Sequence, residues 1–365
     1  MATKNTQPNV KKRKKKNQKK NTRIFLFIAE MVILVVLFVV LYMVLKADKV
    51  NKISIDKENI VVNETVENNT VLKGYRNIAL FGVDARDKSL GKGNRTDTIM
   101  IASVNQTTGD IKLLSVYRDT YLNLGNDTYN KCNAAYAKGG PEQAINMLNM
   151  NLDLNIEDYV TVGFTGLMET IDAIGGIEIE ILEEEIRHLN NYQISMVGTT
   201  SDGKTFTAEE GKDYTAVTHA GLQTLNGLQA TAYCRVRQVG DDFMRAQRQR
   251  DVLSAIMEKA KKSNPATLNK ILDKVLPYVS TSLDVEEMVA VLGEVNNYNI
   301  VAKDGFPFEE YRATGNLGSK GSCVIPVDLK ANVTKLHDFL FESEEYVMSE
   351  EVKEYSQKIS FDTGR

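Results

Sequence analysis

The sequence predicts an α/β (α+β) domain held behind one membrane-spanning helix. Three features carry this expectation. Short apolar runs of strand length recur from residue 77 onward, bounded by turn residues. Between them lie segments with apolar residues at helical spacing, punctuated by Gly and Pro. Strands alternating with helices in this way give layered α/β or α+β architectures. Finally, a basic N-terminus runs directly into a long apolar stretch. No internal repeat is visible in the 365 residues.

Residues 1–23 carry ten Lys or Arg and no acid, and residues 24–45 are apolar except for Glu30. As a helix, the second stretch would extend roughly 33 Å at ~1.5 Å per residue, enough to cross a bilayer. The positive-inside rule then keeps 1–23 in the cytoplasm as a basic tail and places everything after Leu45 outside the cell. A cleaved signal peptide is the competing reading, but the run exceeds the usual ~7–15 apolar residues and no A-x-A site follows. Lysine-rich runs can bind nucleic acid. Beside a spanning helix, a topology signal in contact with anionic lipid is the simpler reading, so no nucleic-acid partner is expected. From Lys46 onward the chain has 35 basic and 47 acidic residues. So acidic a domain does not draw polyanions by its overall field; any anion site must be local.

Residues 46–73, polar and rich in Asn and charge, read as a stalk, with the folded domain over 74–341. Residues 77–83 form an apolar strand ending at Asp84, and 98–104 and 110–116 form two more, joined by a hairpin turn at 105–109. Gly139-Gly140-Pro141 ends one element and opens a helix to about Asn151. Residues 160–164 read as a strand, and Thr165 as the cap of a helix over 166–174 that Gly175-Gly176 ends. Ile and Glu alternate over 177–182, as on a strand with one exposed face. The polar segment 183–215 reads as an insertion or mobile loop. A helix is expected over 222–231 and a strand over 232–237. Asp242 should cap a long helix through Lys262, broken by Asn264-Pro265, with further helices over 267–298. The tail, 342–365, is acidic and weakly patterned, and is expected to fray.

The chemistry concentrates in arginines. Of 45 basic residues 31 are Lys, yet the basic residues between 235 and 250 are all Arg: Arg235, Arg237, Arg245, Arg248 and Arg250. A planar guanidinium grips phosphate oxygens two at a time, whereas an ammonium is a point charge. On a strand, Arg235 and Arg237 would share a face. Arg245 and Arg248 would stand one turn apart near a helix N-terminus, where free N–H groups and the dipole also favour an anion. A solvated charged face, paired with Asp241, Asp242 and Asp251, accounts for the same spacing. A second set sits at three strand ends: Asp84 with Arg86, Arg95 with Asp97, and Arg118 with Asp119. Asp84 and Asp97 could together hold one Mg²⁺, which takes one or two carboxylates plus substrate phosphates; each pair could equally be a salt bridge. Cys132, Cys234 and Cys323 cannot all pair with one another and show no zinc spacing; they read as small buried residues. His188, His219 and His337 stand apart, which argues against a Ser-His-Asp or Cys-His machine.

Together these residues resemble the LytR-CpsA-Psr family of cell-wall glycopolymer ligases, from about residue 77 to 341. The resemblance rests on GVDAR (82–86), RTDT (95–98), LLSVYRDTY (113–121), NKCNAAYAKGGPE (130–142), FTGLMETIDAIGGIEIEI (164–181), LNGLQATAYCRVR (225–237) and DFMRAQRQRDVL (242–253). It implies a single domain with a central mixed β-sheet flanked by helices, outside the cell and anchored by one membrane pass. It also implies transfer of a phosphoglycosyl polymer from a polyprenyl-pyrophosphate lipid to a sugar hydroxyl of peptidoglycan. By the resemblance, Asp84 and Asp97 match positions that bind Mg²⁺ (or Mn²⁺). Arg118, Arg235, Arg237, Arg245 and Arg248 match the pyrophosphate site, and Arg86, Arg95, Asp119, Lys131 and Gln249 match further motif positions. The lipid channel is expected along residues 164–181 and the helix after Asp242. Tyr117 departs from the family, which commonly has proline there. Two other readings keep much of this site: a lipid pyrophosphate hydrolase, with water as acceptor, and a non-catalytic binder that senses polyprenyl phosphates.

Overall fold

The middle strand of the sheet shows how the molecule is layered. The structure, a computed structural model, describes residue 53 and residues 55–85, 89–198, 205–342 and 346–365. The basic tail and the predicted membrane helix lie outside the described residues, as does Arg86. Among the described residues no helix is long and apolar enough to cross a membrane. The strands are β1 Tyr75–Val83, β2 Thr96–Asn105, β3 Asp110–Val116, β4 Tyr121–Asn123, β5 Tyr129–Lys131, β6 Asp158–Gly163, β7 Ile177–Ile181, β8 Gly221–Leu225, β9 Val279–Thr281, β10 Asn299–Phe306, β11 Arg312–Asn316 and β12 Ser322–Pro326. The helices are α1 Glu64–Glu67, α2 Asn133–Leu152, α3 Phe164–Ala173, α4 Glu183–Val197, α5 Gly227–Tyr233, α6 Asp242–Lys261, α7 Pro265–Val275, α8 Val285–Gly293, α9 Leu329–Phe341 and α10 Glu350–Thr363.

Six strands form one mixed sheet in the order β10-β3-β2-β1-β6-β9. β1 pairs antiparallel with β2 and parallel with β6. β2 and β3 form the expected antiparallel hairpin, and Gly109 takes a positive φ in its turn. Alternate residues of β1 serve different layers, as the two-residue period requires. Ala79, Phe81 and Val83 join a core with Leu148 of α2, Leu336 of α9 and Ile359 of α10. Leu80 faces the other way, packing with Leu253 and Met257 of α6. A separate core, including Ile171, Ile177, Leu225, Val236 and Val252, joins α3, the β7–β8 ribbon and α6.

Several expectations are corrected. The stretch read as a stalk packs on the domain from residue 55. Asparagines of α2 bond its extended backbone, with Val61 N donating to Asn146 Oδ1 at 2.8 Å, and Val66 and Leu72 are buried. The acidic tail does not fray. Val352, Tyr355, Ser356 and Ile359 make an inward stripe on α10, Tyr346 stacks on His337 with ring centroids 3.8 Å apart, and Ser349 N donates to Asp153 Oδ2. Acids on the outer face hid that stripe. Within 183–215, residues 183–197 are helix α4; three glutamates in its first turn suit the positive end of the dipole.

The strand expected at 232–237 is the end of α5 and a turn: Arg235 N bonds Ala232 O and Val236 N bonds Tyr233 O. An Asn226–Gln229 capping box starts that helix, and it prevails over the β preference of the residues beyond it. Residues 221–225 are strand β8 where a helix was expected, and the helical stretch 267–298 also contains β9. The cap of α6 is Asp241 rather than Asp242, and Thr165 lies inside α3, whose N-cap is Gly163.

Truncating Ile359 to Ala should cost about 2–5 kcal/mol in urea unfolding, as for buried aliphatic side chains; a frayed tail would show no loss. Burial pushes the His337 imidazole down to about 4, below its ordinary ~6.5. The neutral ring is therefore the native form. The stability it supports is complete above about pH 6.5 and is lost as pH falls through 4. Urea midpoints measured from pH 7 to 4 should fall, and His337→Phe should flatten that slope.

Candidate active site

The sheet's strand ends build one half of the site. β1 runs into Asp84 while β2 begins at Thr96 and Asp97, and Val83 pairs with Thr96 across a register shift. Such a shift bends the strand and re-aims the residues just past it. Gly82 is required here, because a Cβ would come within 2.9 Å of the Thr98 side chain. Past the end of β3, a turn closed by Thr120 N to Tyr117 O presents Arg118 and Asp119. Lys131, at the end of β5, reaches Asp119 at 3.2 Å. The other half comes from the α5–α6 turn, with Arg235 and Arg237, and from the first turns of α6, with Arg245 and Gln249. Asp84, Asp97, Arg118, Asp119, Lys131, Arg235, Arg237, Arg245 and Gln249, with Arg95, line one cavity of about 750 Å³. Residues far apart in sequence are thus brought together: Arg118, Arg237 and Arg245 share a single space.

The polar end carries six cationic side chains (Arg95, Arg118, Lys131, Arg235, Arg237 and Arg245) against three carboxylates (Asp84, Asp97 and Asp119). Arg118 pairs with Asp97 and stands 3.7 Å from Asp119. Arg245 Nη2 donates to Asp97 O and to Asp242 Oδ2, both at 3.2 Å. Arg237 Nε lies 3.8 Å from Asp242 Oδ1. Burial opposes the charge on Arg118, yet Asp97, Asp119 and Asp242 outweigh it and raise its pKa above the usual value. Burial, helped by the charges of Arg118 and Arg237, pulls Arg245 down to about 10 despite Asp242. It remains a cation at neutral pH. Of the guanidinium nitrogens on the arginines lining this cavity, four are buried with no hydrogen-bond partner among the described residues: Arg118 Nε, Arg235 Nη1, and Arg245 Nε and Nη1. A buried donor left unpaired costs about 1–3 kcal/mol, so the site is built for a ligand rich in acceptor oxygens.

The same cavity has an apolar wall. Leu80, Met100, Val160 and Val162 come from the sheet, Phe164 and Leu167 from α3, and Val252, Leu253 and Ile256 from α6. Along α6 the lining changes from Arg245 through Gln249 to Val252, Leu253 and Ile256. From Arg245 to Ile256 the helix extends about 16 Å at ~1.5 Å per residue. The space therefore suits an amphiphile with an anionic head and a long apolar tail. Of the residues expected along the channel, Phe164, Leu167 and Val252, Leu253 and Ile256 of α6 line this cavity. Ile171, Ile177 and Ile179 instead belong to the core. The sheet contribution was missed because a strand sequence does not show which face meets a cavity. Tyr192, on α4, was also missed, since its segment reads as a polar insertion.

Arg248 does not reach the cavity. It is 2% exposed and fully engaged, Nε with Glu185 Oε1 at 2.6 Å, Nη1 with Val236 O at 3.0 Å and Nη2 with Val239 O at 2.7 Å. It is a structural ion pair, not a phosphate ligand. The helix period turns residue 248 away from the face shared by 245, 249 and 252. The cysteines are buried and unpaired. Cys234 lines the cavity, but burial pushes its thiol up to about 12, so it is no thiolate nucleophile. None of the three histidines lines the cavity.

For a divalent cation, the carboxylates of Asp84 and Asp97 stand on the cavity wall at adjacent strand ends. No cluster of three metal-ligating side chains occurs among the described residues. Two carboxylates whose remaining ligands come from phosphate oxygens and water fit Mg²⁺. Removing one partner of the buried pair should be costly: Arg248→Met should lower stability by about 3–5 kcal/mol. Arg237→Ala, at a side chain 40% exposed, should change it by less than about 0.5 kcal/mol. Urea unfolding of both variants checks this contrast.

The chain has recognisable relatives among known proteins. A family model described as LytR_cpsA_psr matches residues 37–332. The chain is 31% identical over 242 residues to the polyisoprenyl-teichoic acid–peptidoglycan teichoic acid transferase TagU of Oceanobacillus iheyensis, covering 63% of this chain and 67% of that one. It is 28% identical over 207 residues to the corresponding transferase TagV of Bacillus subtilis, covering 55% and 48%. The match thus spans about two-thirds of the first relative and about half of the second. Among solved structures, the fold is shared with YwtF (TagT) with bound octaprenyl pyrophosphate lipid, at a TM-score of 0.54 and 18% identity, over 76% of this chain and 96% of that one.

Proposed function

Because the chain belongs to the LytR-CpsA-Psr family, we propose that it attaches a cell-wall glycopolymer, moving its phosphoglycosyl chain from a polyprenyl-pyrophosphate lipid to a peptidoglycan sugar hydroxyl. The observation that carries this reading is the joining, in one cavity, of unpaired buried guanidinium donors to an apolar wall. A diphosphate supplies the acceptors those donors lack, and a prenyl chain covers Leu80, Met100, Leu253 and Ile256. The relatives named as teichoic acid transferases and the relative with bound octaprenyl pyrophosphate support the same substrate class.

The roles follow from charge. Phosphoryl transfer asks a protein for positioning and neutralisation rather than for a nucleophile of its own. Arg118, Arg235, Arg237 and Arg245 hold the diphosphate and offset the charge that gathers on the leaving polyprenyl phosphate. Asp84 and Asp97 would hold Mg²⁺, which when bound neutralises phosphate oxygens; Mn²⁺ is the natural substitute. A carboxylate takes the proton of the incoming hydroxyl, and Asp84, Asp97 and Asp119 are those on the cavity wall. We place the catalytic domain on the outer surface of the cell membrane, anchored by residues 24–45.

The full chain in detergent, given a lipid-linked pyrophosphate glycan, a peptidoglycan fragment and Mg²⁺, should yield the joined product. Chelation should abolish joining and added Mg²⁺ should restore it. Arg237→Ala should weaken donor binding at least about tenfold, the scale of a charge-assisted hydrogen bond. Lys261→Ala should not, since Lys261 is engaged by Glu258 and Asn299 outside the cavity. Phosphate release without joining would mark a hydrolase. Binding without turnover, indifferent to Asp97→Ala, would mark a lipid sensor.

A further inference from the structure

Arg235 is held differently from its neighbours. Arg118, Arg237 and Arg245 each stand within 4 Å of a carboxylate. Arg235 has no carboxylate within ion-pair reach among the described residues. Its guanidinium lies against two aromatic rings instead, 4.5 Å from the centroid of Phe164 and 5.5 Å from that of Tyr192. Both rings line the cavity, and Phe164 belongs to its apolar wall. A guanidinium stacked on rings is held in place while its N–H groups stay free for an anion, and Nη1 of Arg235 is buried and unpaired. Phe164 comes from the first turn of α3. Tyr192 comes from α4, which the Glu185–Arg248 pair fixes two turns earlier on that helix, and Gln238 Nε2 donates to its hydroxyl at 3.5 Å.

The geometry points to Tyr192 as a positioning residue, which clamps Arg235 against Phe164 so that the guanidinium meets the phosphate nearest the apolar tail of an amphiphilic diphosphate. This rests on the proposed prenyl-diphosphate reading and adds to it the part that selects the junction of head and tail. Tyr192 acts through its ring face, not through its hydroxyl and not by filling space.

The test is a double-mutant cycle on the full chain in detergent, with geranylgeranyl pyrophosphate as the probe and inorganic pyrophosphate as the comparison. Tyr192→Phe should bind geranylgeranyl pyrophosphate as the unmodified chain does. Tyr192→Leu, which keeps an apolar side chain but removes the ring, should lose roughly 3- to 30-fold, the span of cation–π contacts. In an Arg235→Ala background the same Tyr192→Leu change should lose nothing further. Inorganic pyrophosphate should be less affected than the prenyl form. Additive losses, a Leu variant that binds normally, or a Phe variant as weak as Leu would each overturn the assignment. If the unmodified chain binds no geranylgeranyl pyrophosphate, the functional reading fails and this inference fails with it; normal binding with additive losses sinks the inference alone.

Discussion

The buried guanidinium of Arg248 decides where the other arginines stand. It uses Nε, Nη1 and Nη2 on three different partners: the Glu185 carboxylate of α4 and the carbonyls of Val236 and Val239. That single group ties α4, the α5–α6 turn and α6 to one another. The turn carries Arg235 and Arg237, α4 carries Tyr192, and α6 carries Arg245 and Gln249. A buried ion pair seldom adds much net stability, because desolvation offsets the attraction. Its value here is geometric. It makes one arrangement of three elements much better than its alternatives, and that arrangement surrounds the polar end of the cavity.

With these elements fixed, the cavity's chemistry comes from an imbalance that is local. The chain after Leu45 is acidic as a whole, yet cations outnumber carboxylates two to one at the polar end. Each carboxylate there is within reach of a cation or stands at the end of a strand, and several guanidinium donors remain unmet. Low dielectric makes each unmet donor expensive and would make its bond to a diphosphate oxygen correspondingly strong. On the proposed reading, the apolar wall adds affinity for a tail without adding charge. Neither part alone would distinguish a lipid diphosphate from a soluble phosphate or from a detergent.

Much of this was legible in the sequence. β1, β2, β3 and their hairpin follow from apolar runs and turn residues. The strand-end acids and arginines do fall in one cavity, as Asp84, Asp97, Arg118 and Asp119 show. What failed did so for identifiable reasons. Arginine type points to phosphate, but only helical phase separates Arg245, which faces the cavity, from Arg248, which faces Glu185. The local β preference of Tyr233, Cys234 and Val236 lost to the capping box at Asn226, so Arg235 and Arg237 lie on a turn. Acidic outer faces concealed the inward stripes of α4 and α10, and both segments read as irregular. Tyr192 carried no signal, since its role depends on Arg235, forty-three residues away in the chain, arriving beside it.

The central claim is that guanidinium groups from separate parts of the chain meet one diphosphate whose tail lies along the sheet. A crystal structure of the chain with geranylgeranyl pyrophosphate tests it most directly. Phosphate oxygens are expected within hydrogen-bond distance of Arg118, Arg235 and Arg245, with the prenyl chain running past Leu80 and Met100 toward Ile256. A diphosphate bound on another surface, or a tail directed away from the cavity, would contradict it.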